Sequence, residues 1–129
     1  MINFNLENRV AIVTGGAQGF GYAITERFIK SGAKVIIWDI DENEAKKTLE
    51  KISSKNLDYQ IVDVSNFEIV DKKLLETENK FGKIDIFINN AGMAGMNTTV
   101  AKYPIDEWNK VINLNLNSVF YCCKAVVPF

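Results

Sequence analysis

The stretch Thr14 to Ile24, "TGGAQGFGYAI", sets four glycines within eight residues directly after the apolar run Val10-Ala11-Ile12-Val13. Glycine at that density weakens any strand or helix, so a backbone turn or a close approach has to require it. An apolar run before the loop and an amphipathic segment after it make the unit strand–loop–helix. A helix N-terminus offers free N–H groups and a partial positive charge, which suits an anion such as a pyrophosphate. Gly15 and Gly19 would let the backbone turn and approach that group, and Gly21 would let the helix pack closely on the first strand. The spacing is Thr-Gly-x-x-x-Gly-x-Gly rather than the standard GxGxxG, and a plain strand-to-helix turn fits these residues equally well.

Outward from the loop, the same alternation recurs. Apolar runs rich in Val and Ile lie at 9–13, 34–38, 59–62 and 84–88, apolar at successive positions as strands covered on both faces are. Between them stand helix-length segments with start and stop signals. The first runs from Tyr22 to Ser31 and ends at Gly32. "DENE", Asp41 to Glu44, and "SNFE", Ser65 to Glu68, have the shape of capping boxes, and the second helix they open stops at Gly82. A last helix is predicted from about Asp106, after Pro104, almost to Pro128. The order βαβαβαβα predicts a parallel α/β sheet with right-handed crossovers.

The second apolar run, "KVIIWD", ends in Asp39, twenty residues beyond Gly19. A dinucleotide-binding fold places a carboxylate there to accept protons from the ribose hydroxyls of an adenosine. The competing reading, a helix cap, is better served by Asp41, three residues before Glu44, which leaves Asp39 for the ribose.

The bulk properties narrow the classes further. The chain has 129 residues, 47% hydrophobic and 24% charged, enough for one domain with a real core. A net charge of -1 gives no basic footprint for nucleic acid and no polybasic membrane patch. No apolar stretch approaches a membrane span and the N-terminus has no secretory core, so a cytoplasmic location is expected by default. Cys122 and Cys123 are neighbours that form no CxxC motif and read as small buried hydrophobes. With no histidine in the chain, Ser-His-Asp and Cys-His mechanisms and histidine-bearing zinc sites are excluded from this stretch, and no metal is expected.

Three further stretches complete a pattern: "DVS" at 63–65, "NNAG" at 89–92 and "NLNSVF" at 115–120. With the glycine loop and in this order, they closely resemble the short-chain dehydrogenase/reductase family, with 3-oxoacyl-acyl-carrier-protein reductases and sugar or polyol dehydrogenases as the nearest neighbourhood. The resemblance runs from about residue 6 to residue 129. It implies a Rossmann-like doubly wound parallel sheet with strand order 3-2-1-4. It also implies a single NAD(P)-binding domain over residues 1–129, incomplete and lacking its C-terminal strands. Residues 15–21, with Gln18 and Phe20 among them, would cradle the pyrophosphate, and Asp39 would hold the ribose. Asp63 and Val64 would flank the adenine, the carboxylate accepting from its amino group; a strand-end turn is the alternative for Asp63. Asn90, Ala91 and Gly92 would wall the nicotinamide ribose, whereas Asn89 would tie the central strands together.

By the same resemblance, Asn115 would be the asparagine of the family's catalytic Asn-Ser-Tyr-Lys set, which holds a water in the proton relay. Winding residues 108–126 at 100° per residue places it within an apolar face of Trp108, Val111, Ile112, Val119, Cys122 and Val126, with Asn113 and Asn117 opposite. A satisfied core asparagine is the alternative. The family's serine and its Tyr-x-x-x-Lys are missing: Tyr22, Tyr59 and Tyr103 are followed four residues later by Glu26, Asp63 and Glu107, and Tyr121 meets Lys124 after three. The expected function is hydride transfer between a nicotinamide and a carbonyl or alcohol substrate, this chain being the cofactor half and inactive alone. A non-catalytic dinucleotide sensor is the alternative, and a flavin or nucleotide-sugar protein fits the motifs less well. NAD is expected over NADP, because Asp39 would repel a 2′-phosphate, Gln18 stands where NADP-preferring relatives often carry a base, and Ile40 adds no charge. Leu114, Leu116, Phe120, Tyr121 and Val127 on the last helix predict a homo-oligomer.

Overall fold

The computed structural model describes residues 2–129 and shows four parallel strands in the order β3-β2-β1-β4. In chain order the elements are β1 (Val10–Thr14), α1 (Gly19–Lys30), β2 (Lys34–Asp39), α2 (Glu42–Ile52), β3 (Leu57–Ile61), α3 (Phe67–Phe81) and β4 (Ile86–Ile88). After a 3₁₀ turn at Val100–Lys102 come α4 (Ile105–Ile112), a π-helical turn (Asn113–Asn117) and α5 (Ser118–Val126). β1 pairs with β2 from Val10↔Lys34 to Thr14↔Trp38, and with β4 from Ala11↔Ile86 to Val13↔Ile88.

Alternation along the strands fills two cores. Val10 and Ile12 of β1 with Ile36 and Trp38 of β2 pack against Val70 and Leu74 of α3 and Cys122 and Ala125 of α5. Ala11 and Val13 with Val35 and Ile37 face Ala45 of α2, and Ile24 and Phe28 of α1 close the same side. Both sheet faces are therefore covered, which is why the central strands read as unbroken apolar runs. Trp38 meets Phe87 edge to face with centroids 5.4 Å apart, locking β2 to β4 across β1.

Local boundaries depart from the expectation in instructive ways. β1 begins one residue later than expected and takes in Thr14, which is buried. β3 starts at Leu57 rather than Tyr59, and β4 is only three residues, since the Val10 N–H that it would have met is taken by the Asp85 carboxylate at 2.8 Å. Asp41 caps α2 by accepting from the Glu44 N–H. At α3 the cap is Asn66, accepting from the Ile69 N–H, not Ser65, whose hydroxyl donates to Asp63. Gly82 ends α3 in the left-handed conformation at φ +79°.

The largest correction concerns the last helix. It is interrupted by the π turn, which takes in one residue more than an α turn and rotates the residues after it by about 100°. The buried positions are Ser118, Cys122 and Ala125, with Leu114 packed on the same core. Trp108 and Val119, expected in the apolar face, are 57% and 36% exposed, and Asn115 is exposed too. Cys123 is likewise exposed, unlike its neighbour, whose thiol burial pushes up to about 12.

Candidate functional site

β1 is the strand at which the chain's winding reverses, β2 and β3 lying to one side and β4 to the other. Crevices form beyond the carboxyl ends of strands at such a point. A groove of about 620 Å³ opens there. Its floor is built by the glycine loop. Gly15 and Gly19 have φ of +60° and +53°, a region that a side chain makes costly. A Cβ at Gly15 would also press on the Cα of Ala91 at 3.1 Å. Gly21 lies behind the loop: a Cβ there would overlap the Gly15 carbonyl oxygen and reach the Asn90 amide at 2.6 Å. Gly21 thus lets α1 close on Gly15 and Asn90 rather than on β1 itself.

Thr14 and Asn90 fix this corner. The Thr14 hydroxyl donates to the Ile88 carbonyl at 3.0 Å and accepts the N–H groups of Asn90 and Ala91 at 2.9 and 3.0 Å. The Asn90 amide donates to the carbonyls of Thr14 and Gly15 at 3.0 and 3.2 Å. The strand-tying asparagine is therefore Asn90, whereas Asn89 reaches only the Cys123 sulfur at 3.6 Å. Asn90 also lines the groove, followed by Ala91 and Gly92.

On the β2 side, Asp39 Oδ2 accepts the Ala17 N–H of the loop at 3.2 Å and Oδ1 accepts the Asp41 N–H at 3.1 Å. Each oxygen keeps a further lone pair, so the carboxylate is oriented but not saturated. Gln18, Gly19 and Ile40 join it on the groove. Past β3, Asp63 and Val64 form the next wall, with Asp63 Oδ1 accepting both the N–H and the hydroxyl of Ser65 at 2.9 and 2.6 Å. Asp63 is a turn residue and a groove residue at once. The far wall comes from the last helix through Lys110, Asn113 and Leu114. The Lys110 ammonium is held by Glu107 at 2.7 Å, and that bond keeps its pKa above the ordinary lysine value.

Three expected residues stand off the groove lining. Gly21 acts from behind, Phe20 is 86% exposed on the first turn of α1, and Asn115 works one residue back. The Asn115 side chain donates to the Met93 carbonyl at 2.8 Å and accepts the Met93 N–H at 2.9 Å. It pins the chain just after Gly92 and retains one N–H and one lone pair for another partner. The reading of the sequence missed Thr14, Lys110 and Asn113. Thr14 lay past the expected strand end, and the other two were turned away from the core by the uninterrupted winding.

The fit of a dinucleotide rests on this geometry: a groove of about 620 Å³, a glycine corner that side chains would fill, N–H groups at a helix start, and a carboxylate at each of two strand ends.

Comparison with known proteins gives a match to the short chain dehydrogenase family over residues 9–129. The chain is 35% identical to a 3-oxoacyl-acyl-carrier-protein reductase of Chlamydia muridarum over 98% of its own length and 52% of the relative's. It is 37% identical to the 2-dehydro-3-deoxy-L-rhamnonate dehydrogenase (NAD(+)) of a Sphingomonas species, covering 94% of the chain and 48% of that protein. Among solved structures, a 3-ketoacyl-(acyl-carrier-protein) reductase from Brucella melitensis complexed with NADH superposes with a TM-score of 0.90 at 31% identity, over 96% of this chain and 51% of that one. The chain spans about half the length of the curated relatives it matches.

Proposed function

The chain belongs to the short-chain dehydrogenase family, and from that premise we propose that its groove binds NAD(H) in preference to NADP(H). The observation that carries this reading is Asp39, a carboxylate at the end of β2 held on the groove by the Ala17 and Asp41 N–H groups. A fixed carboxylate favours two ribose hydroxyls and opposes a 2′-phosphate, and like charges set together cost several kcal/mol. Ile40 beside it brings no compensating charge.

A bound nicotinamide would supply or accept the hydride for a carbonyl or alcohol carbon, of a 3-oxoacyl thioester or a sugar-like polyol. The chain's own part is to bind and orient. Gly15 to Gly21 present the helix start to the pyrophosphate. Asp63 and Val64 flank the adenine. Asn90, Ala91 and Gly92, braced by Asn115 through Met93, form the nicotinamide wall. Asn115 is the residue of this chain assigned to the proton path, through the N–H and lone pair that Met93 leaves free. We assign the protein to the cytoplasm as a homo-oligomer, and the exposed Leu116, Phe120 and Val127 of the last helix support the oligomer alone. No helix among the described residues is long and apolar enough to cross a membrane.

The test is titration of the chain with NADH and NADPH, followed by nicotinamide fluorescence. NADH should bind at least about tenfold more tightly, a gap of ~1.4 kcal/mol, and Asp39→Ser should narrow it. Equal or tighter NADPH binding overturns the cofactor assignment, and failure of both to bind overturns the dinucleotide reading.

A further inference from the structure

The turn from β3 to α3 carries Asp63, and a chain of hydrogen bonds reaches it from the opposite wall of the groove. Both donors of Ser65 converge on Asp63 Oδ1. Oδ2 takes neither of them. The Ser65 carbonyl accepts the side-chain amide of Asn113 at 3.3 Å, across 48 residues of sequence. The Asn113 carbonyl oxygen accepts from the Asn117 amide at 3.1 Å. That second bond decides which end of the Asn113 amide faces Ser65, because an oxygen cannot donate. Asn113 opens the π turn, is partly buried and lines the groove.

We propose that Asn113 is a positioning residue for base recognition, acting through Ser65 to hold Asp63 in the orientation that reads a 6-aminopurine. The inference rests on the dinucleotide reading of the groove. A carboxylate only accepts, so it favours a base that offers an amino group over one that offers a carbonyl at the same place. That preference requires a fixed carboxylate, and groups held by a second layer of hydrogen bonds discriminate better than loose ones. Phosphate binding sits on the glycine loop and does not depend on Asn113. Loosening the Asn113–Ser65 bond should therefore erode discrimination between bases while sparing affinity for the shared diphosphate.

ADP and IDP carry the same phosphates and differ at the purine 6-position, so their affinity ratio isolates the effect. Asn113→Asp keeps the size and the acceptor for Asn117 but has no N–H for Ser65, and its added charge acts on both ligands alike. Asn117→Ala adds no charge and frees the Asn113 amide to rotate. The wild-type chain should prefer ADP by about fivefold, the worth of ~1 kcal/mol in one hydrogen bond. N113D should reduce the preference to less than about twofold, any loss from its added charge being shared by ADP and IDP, with the melting midpoint little changed, and N117A should fall between. A merely structural role would weaken both ligands and leave the ratio alone. An undiminished ADP preference in N113D, or in N117A if N113D does not fold, overturns the inference and leaves the dinucleotide reading standing. Wild-type protein that binds ADP and IDP equally overturns it at Asp63. Wild-type protein that binds neither overturns this inference and the dinucleotide reading together.

Discussion

At the residue scale, Gly21 and Gly19 separate two demands that the same loop makes on glycine. A Cβ on Gly21 has nowhere to go, since the Gly15 carbonyl and the Asn90 amide already occupy its place and both are held by further hydrogen bonds. Gly19 has no atom within 4 Å of the position a Cβ would take, and its only demand is φ +53°. Gly19→Ala should therefore cost about 1–2 kcal/mol, the left-handed penalty of a single residue. Gly21→Ala adds overpacking of about 1–3 kcal/mol and displaces the corner that faces the groove. Chemical denaturation should show G21A as clearly the less stable of the two. Dinucleotide affinity should fall in both variants, in G21A because the corner is displaced and in G19A because Gly19 lines the groove where the backbone would approach the pyrophosphate. Equal losses of stability in both would mean that the loop relaxes around Gly21 and that its packing role is wrong.

At the scale of elements, Asp85 joins β1 to the start of β4. Its Oδ2 accepts the Val10 N–H at 2.8 Å, and Arg9 and Lys83 lie 3.3 and 3.1 Å from its two oxygens. The Val10 bond, the largest influence, together with Lys83 and Arg9 holds its pKa below the ordinary carboxylate value, against an opposing effect of burial second only to that bond. A carboxyl whose folded pKa is depressed contributes stability above its unfolded pKa and loses it as pH falls through the folded one. Melting midpoints measured between about pH 2 and 7 should therefore show Asp85→Asn less stable near neutrality, with the gap closing on the acid side. A constant gap would show that the charge is irrelevant to the β1–β4 join. Much at this scale was legible in the sequence. Parallel strands covered on both faces leave unbroken Val/Ile runs, and their spacing alone yields the alternation of strands and helices. The misread boundaries have specific causes. Thr14 looks polar, yet its hydroxyl is consumed within β1 and β4, so the strand runs one residue further. The π turn leaves no periodic mark, since it depends on which carbonyl each N–H chooses. Within it Asn113 faces the groove and Asn115 is exposed, and beyond it Val119 is exposed while Cys122 keeps its expected place in the core. Asp39 and the glycine loop were located by residue identity, so the one-residue slip at the end of β1 does not move them off the groove.

At the scale of the molecule, the 129-residue chain presents two unpartnered surfaces. β4 pairs with β1 alone, leaving the other edge of Ile86-Phe87-Ile88 without a strand. The segment has no proline and no charge, and the nearest carboxylate, Asp85, is already committed to Val10. Such an edge offers unpaired N–H and C=O groups to another chain. The second surface is the last helix, where Leu116, Phe120 and Val127 are 62%, 63% and 78% exposed. Apolar area left open in this way favours association over a solvated monomer. Light scattering of the isolated 129-residue chain should accordingly show concentration-dependent self-association, and a cooperative, strictly monomeric species would refute it. Turnover by the isolated 129-residue chain is expected to fail for a separate reason. Proton transfer to or from a substrate oxygen needs a group that titrates in the working range and stands within hydrogen-bond reach. Asn115 is an amide and does not titrate there, and no tyrosine of the chain has a lysine four residues on to lower its pKa. The glycine loop, Asp39 and Asp63 nevertheless all line the groove. Assays with NAD(H) and a panel of ketones and alcohols should then give binding without turnover, and hydride transfer above background would show that the chain carries a proton path of another kind.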